Sequence, residues 1–174
     1  MSFATTHHDF SDKPRAYAGL ARELEGLLAG ERNWIANAAN AAALVYHALP
    51  DLNWVGVYVP ATNAAGVREL VVGPFQGKPA CVRIAMGRGV CGTAAVRRET
   101  IVVPDVQAFA DHIACDAASR SEIVLPLLRP GVAGDAGFVG VLDLDSPRLA
   151  RFDDADRAGL ERLATIIAAG CDWP

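Results

Sequence analysis

The segment Asn53–Val59, NWVGVYV, decides the architecture. Its side chains alternate. Trp54, Gly56 and Tyr58 fall on one side of an extended chain, and Val55, Val57 and Val59 on the other. Glu69–Val72 and Cys81–Ala85 read as the next two strands. Pro60–Gly66 reads as a turn. The GPFQGKP stretch at 73–79, with two Gly and two Pro, reads as a loop.

Helices precede this run of strands. From Lys13 to Leu28, apolar residues recur at steps of three and four, which predicts an amphipathic helix stopped at Gly30. A second helix is expected from about Glu31, with Trp34, Ala38, Ala42, Val45 and Leu49 on one face and Pro50 as its stop. Both are alanine-rich and could pack closely on the chain's own sheet or on a second copy. Beyond the strands, Gly87–Gly92 (GRGVCG) opens a short helix to about Arg98. Thr100–Val103, Glu122–Leu128 and Phe138–Leu144 are expected strands, and Arg129–Ala136 is a Gly/Pro loop. Val106–Arg120 has no clear period. A last helix starts near Asp153, with Asp156 completing a weak capping box. Short hairpin links between strands predict an α+β domain with a central, mostly antiparallel sheet flanked by helices. Residues 1–12 are polar and expected to be a flexible segment, leaving 13–174 as the domain.

Composition narrows the function. In 174 residues, 52% are hydrophobic and 21% charged, too apolar for a disordered chain. No run approaches the roughly 18 apolar residues of a membrane span. The formal charge is −4 and the only adjacent basic pair is Arg97-Arg98, which argues against nucleic acid as a partner. MSFATTHHDFSDK has no apolar signal core, so a cytoplasmic location is expected, where thiols stay reduced unless they do redox work.

The four cysteines are Cys81, Cys91, Cys115 and Cys171. None forms a C-x-x-C pair. His112, three before Cys115, could complete only an irregular site, so no metal is expected. Cys171 reads as a packing residue in the last helix. Cys91 follows GRGV at a helix start, where backbone N–H groups favour a thiolate. Cys115 lies in the aperiodic loop beside Asp116, Ser119 and Arg120, where a nucleophilic or redox role competes with simple burial. Cys81 opens a strand that reads as buried. An unperturbed thiol is only about 3% ionised at pH 7, and half ionisation needs about 2 kcal/mol of differential stabilisation.

Two further constellations stand out. Asp143 and Asp145, two apart on a strand, face the same side. They are either solvated at the strand's exit or hold a cation or shared proton in a pocket. Glu122 begins another strand with the same two readings. Trp54 and Tyr58 flank Gly56, as core aromatics or as a pocket wall with room for a ligand.

The segments NWVGVY, LVVGPFQGKPACVRI, GRGVCGTAA, IACDAASRSEIVLPL and GVLDLDSP resemble the free methionine-(R)-sulfoxide reductases, single-domain enzymes of the GAF fold. The resemblance runs from about Leu20 to the C-terminal helix. It implies a GAF-like catalytic domain over 13–174 that reduces free L-methionine (R)-sulfoxide. It implies Cys115 as nucleophile, Cys81 as the main resolving thiol and Cys91 as a second candidate. Trp54 and Tyr58 would enclose the substrate's methyl end, while Glu122, Asp143 and Asp145 would bind its ammonium and polarise the sulfoxide oxygen. It further implies thioredoxin as external reductant, no bound cofactor and a homodimer. A non-catalytic GAF small-ligand sensor and a thiol redox sensor are the alternatives that the fold leaves open.

Overall fold

The structure, a computed structural model, describes residues 6–111 and 116–174. Among them, six strands form one sheet in the order β3-β2-β1-β6-β5-β4. They are β1 (Trp54–Thr62), β2 (Arg68–Gly77), β3 (Arg83–Ala85), β4 (Ile101–Val103), β5 (Ser121–Leu128) and β6 (Phe138–Ser146). Every neighbouring pair is antiparallel. The helices are α1 (Lys13–Leu28), α2 (Trp34–Ala48), α3 (Gly89–Arg97) and α4 (Asp154–Gly170).

The alternation in NWVGVYV divides the two layers. Val55, Val57 and Val59 join the buried faces of α1, α2 and α4 in the larger core. The helix alanines Ala21, Ala38, Ala41 and Ala42 are buried there, so these helices close on the chain's own sheet. Trp54 and Tyr58 point to the opposite face, which α3 covers with Val90, Cys91, Ala94 and Ala95. Gly92 permits that cover: a Cβ on it would lie 2.5 Å from the Ala85 carbonyl oxygen.

The helices begin and end for local reasons. Asp12 caps α1 by accepting from the Arg15 N–H, and Asn33 caps α2 by accepting from the Ala36 N–H. The α4 capping box is complete, with Asp153 and Asp156 each accepting the other's backbone N–H. The first residues described are held by side chains: His8 bonds Glu23 at 2.8 Å and Phe10 meets the Tyr17 ring edge-on.

Prolines mislead the strand boundaries. β1 continues through Pro60, and β2 includes Gly73 and Pro74, where a turn and a loop were expected. Pro60 lies beyond the last β1–β6 pair, Tyr58↔Val141, so its missing N–H breaks no ladder bond on that side. Gly73 and Pro74 together oppose Val57 in a β-bulge, between the pairs Gly56↔Phe75 and Tyr58↔Val72. The third strand is shorter than expected. It starts at Arg83, and Cys81 lies in the connection before it, half-buried rather than inside a strand.

Candidate functional site

The face of the sheet beneath α3 carries a cleft. Its registers determine which side chains meet. In an antiparallel pair, directly opposed residues share a face. Asp145 opposes Trp54 on one side and Glu122 on the other, and Asp143 opposes Gly56 and Val124. Trp54, Tyr58, Glu122, Asp143 and Asp145 therefore converge, and all line one cleft with Cys91, Lys78, Arg88, Asp116 and Ser119. Its empty volume, open mouth included, is about 560 Å³. That falls within the size range of small-ligand sites.

The aromatic wall is rigid. Trp54 stacks on Tyr58 at 5.8 Å between ring centres and on Phe75 at 5.3 Å. Its indole N–H donates to the Lys78 carbonyl at 3.1 Å, and the Tyr58 hydroxyl donates to the Cys81 carbonyl at 3.2 Å. The two polar handles thus hold the 78–81 connection over the cleft. Gly56 is required between the rings, since a Cβ there would lie 2.4 Å from the Trp54 ring.

The acidic floor is buried. Glu122 and Asp143 are each 6% exposed, which excludes the solvated reading for these two, while Asp145 is half-buried. Burial pushes the Glu122 carboxyl well above the usual range, and Asp143 and Asp145 raise it further. Burial likewise lifts Asp143 to about 7, opposed by hydrogen bonds from Cys91 and Glu122. Asp145 is also raised, by burial and by Asp143 and Asp116. Three carboxyls this close on one sheet face oppose each other's ionisation, and all three are shifted upward.

Cys91 differs from expectation. It begins at a helix start, yet burial raises its thiol well above the ordinary value, and Asp143 and Glu122 add to the rise. The short helix's N-terminal field is outweighed by desolvation and two carboxyls. Cys91 is a free, neutral thiol in this site. Cys171 is free and buried beside the α4 core as a packing residue, at the C-cap rather than inside the helix. Cys81 is disulfide-bonded. Cys115 and His112 lie outside the described residues.

The GAF domain family matches residues 24–170. The free methionine-R-sulfoxide reductase of Escherichia coli (strain K12) is 49% identical over 156 residues, covering 90% of this chain and 88% of that relative. Protein YtsP of Bacillus subtilis (strain 168) is 52% identical, covering 90% and 91%. The X-ray structure of free methionine-R-sulfoxide reductase from Neisseria meningitidis in complex with its substrate superposes with a TM-score of 0.82 at 44% identity, over 95% of this chain and 94% of that one. The chain belongs to the free methionine-(R)-sulfoxide reductase family of GAF domains.

Within this reductase-family fold, the structure brings together Trp54, Tyr58, Cys91, Glu122, Asp143 and Asp145 from the sequence candidates. Sequence reasoning missed Lys78, Asn53 and Arg88, and gave Asp116 and Ser119 no role. Asn53 Nδ2 donates to Ser119 Oγ at 2.9 Å and to Asp116 Oδ2 at 3.3 Å, and Lys78 Nζ reaches Asp116 Oδ1 at 3.1 Å. Asp116 also accepts from the Ala118 N–H, the mark of an Asx turn. The signal available was the Asp116–Ser119 spacing beside Cys115. Also missed was the convergence of Cys91, Glu122 and Asp143, whose ligand-type atoms all lie within 4.8 Å of one another. Their sequence separations of 31 and 21 fit no metal-site spacing. No helix among the described residues is long and apolar enough to cross a membrane.

Proposed function

We propose that this protein reduces free L-methionine (R)-sulfoxide to L-methionine. The observation that carries the reading is the cleft itself: an aromatic wall of Trp54 and Tyr58 set against three clustered carboxyls whose proton affinity burial and mutual repulsion raise. A zwitterion with a polarised S=O and an S-methyl group needs both. The family membership and the substrate complex of the Neisseria meningitidis relative support the same substrate.

In this reading Cys115 attacks the sulfoxide sulfur as a thiolate. A carboxyl proton from the Glu122–Asp143–Asp145 set passes to the sulfoxide oxygen. In the adduct the hydroxyl passes from the substrate sulfur to the Cys115 sulfur as the new S–S bond and the old S–O bond break, so that methionine leaves and Cys115 carries the oxygen as a sulfenic acid. Cys81 then condenses with it, releasing water and forming a disulfide, with Cys91 as the second resolving candidate. A thioredoxin dithiol reduces that disulfide and is oxidised in turn. Trp54 and Tyr58 enclose the substrate's methyl end. A carboxylate remaining ionised in the set pairs with its ammonium. The enzyme works without a bound cofactor, in the cytoplasm, as a homodimer whose stoichiometry sedimentation velocity would measure.

The test is a thioredoxin-coupled assay with the separated epimers of free methionine sulfoxide and with N-acetylmethionine sulfoxide. Turnover of the free R epimer, lost in Cys115→Ser, is expected. Turnover confined to the S epimer, equal turnover of the N-acetylated substrate, or full activity in Cys115→Ser would overturn the reading.

A further inference from the structure

The proposed reaction uses the carboxyls as proton and charge carriers, and one oxygen of the same cluster is open to a second kind of ligand. Asp143 is 6% exposed and its Oδ1 has no hydrogen-bond partner. A buried carboxylate oxygen without a donor costs stability unless a ligand completes it. It lines the cleft in the same cluster as the free Cys91 sulfur and a Glu122 oxygen, with these ligand-type atoms within 4.8 Å of one another.

We propose that Cys91, Glu122 and Asp143 form a Zn2+ site that competes with the sulfoxide substrate for the acidic floor of the cleft. The donor set selects the ion. Zinc takes thiolate sulfur at about 2.3 Å and carboxylate oxygen at about 2.0–2.2 Å. On a tetrahedral ion such donors sit roughly 3.3–3.6 Å apart, so the three must close by at most about 1.5 Å from their present spread. Magnesium and calcium want all-oxygen shells with more ligands, and copper(I) wants all-soft donors. Three protein ligands leave the fourth position to water, the arrangement of an open rather than a structural zinc site.

The fold pre-positions the donors on rigid elements. Glu122 is on β5 and Asp143 on β6, in neighbouring strands of the sheet. Cys91 is in the first turn of α3, which Gly92 lets approach. On binding, the ion displaces the Cys91 thiol proton and any proton the two carboxyls share, which leave to solvent; no electron is transferred. The bound ion occupies the carboxyls that the reductase reading assigns to the substrate, so the two ligands exclude one another.

The experiment uses Co2+ as the spectroscopic probe on a full-length Cys81→Ser/Cys115→Ser/Cys171→Ser variant, which retains Cys91 as its one thiol. A thiolate-to-cobalt charge-transfer band is expected. It should vanish on adding Cys91→Ser, weaken at least tenfold in affinity with Glu122→Gln or Asp143→Asn, and be displaced by Zn2+ but not Mg2+. A cooperative thermal melt establishes that each variant folds, and alanine replaces serine where it does not. In the wild-type assay, Zn2+ should raise KM without lowering kcat. Absence of the band, or a band indifferent to both carboxyl substitutions, overturns the site. The metal measurement needs no turnover, so its failure is distinct from failure of the reductase reading. A zinc effect on kcat alone would show that the ion binds elsewhere.

Discussion

Glu122 and Asp143 show how two ordinary carboxylates become acids through position. Glu122 starts a strand and Asp143 sits in the middle of one, and neither type is remarkable in sequence. On one buried sheet face they desolvate each other, and Asp143 rises to about 7. A raised carboxyl pKa has two consequences of definite sign. As pH climbs from about 4, the unfolded chain loses these protons first, so the cluster's contribution to stability declines through about 7. Over the same range the proton available to a leaving oxygen disappears. We expect kcat to fall on the alkaline side with an apparent pKa belonging to the coupled set, and Glu122→Gln to lower kcat by about 10²–10⁴-fold at neutral pH. A pH–rate profile of the two proteins checks both. An unchanged alkaline limb in Glu122→Gln would remove the residue from the proton path. Cys91 shows the opposite lesson. A helix start was a local cue for a thiolate, but burial, with Asp143 and Glu122 on β6 and β5 adding to it, decides the other way, and local sequence reveals neither.

At the scale of elements, the segment after residue 115 is tied to the sheet by Asn53, Asp116 and Ser119, with Lys78 reaching over from the β2–β3 connection. The Arg120 N–H donates to the Ser146 carbonyl at 2.7 Å, pinning the segment's far end beside β6. Asn53→Ala leaves Ser119 and Asp116 without their shared donor. We expect kcat to drop about tenfold with KM changed much less, since the aromatic wall and carboxyls stay in place. Steady-state kinetics decides, and a change confined to KM would make Asn53 a substrate contact instead of a positioning residue. The same comparison explains what could be read in advance. Lys13–Leu28 was legible to the residue, because its apolar period and its stop at Gly30 agree. The two faces of NWVGVYV were legible for the same reason. Pro60 and Pro74 were misread, because proline's cost depends on whether its N–H faces a partner, and pairing is a property of the sheet. Of the cleft, the same-strand pairs Trp54/Tyr58 and Asp143/Asp145 were visible by spacing; the alignment of Glu122 with Asp145 and the arrival of Cys91 needed the register.

Across the whole molecule, the sheet separates chemistry from stability. The cleft lies on the α3 side. On the other side, a buried polar knot joins the first helix to the last. Asp156, with no exposed surface, accepts from the Tyr17 hydroxyl at 2.8 Å, Lys13 Nζ at 2.6 Å and an Arg151 guanidinium nitrogen at 2.9 Å. Arg151 is itself 6% exposed at its side chain, and this carboxylate is the opposite charge that faces it. Removing one member of a buried pair strands the other in a low-dielectric site, at a cost of about 3–5 kcal/mol. Asp156→Ala also deprives α4 of its capping-box partner at Asp153, which adds to the loss. In a chain of this size about 3–5 kcal/mol lowers Tm by roughly 6–20 °C. We expect the urea midpoint to fall by the corresponding amount with an unchanged m-value, and Asp156→Asn, which keeps the volume and part of the hydrogen bonding, to cost less. KM for the sulfoxide should stay at its wild-type value in both variants at temperatures where they remain folded, because no residue of the knot lines the cleft. A cost under about 1 kcal/mol would mean that water replaces the carboxylate around Arg151 and Lys13. An altered KM in a folded variant would mean that the two faces of the sheet are coupled.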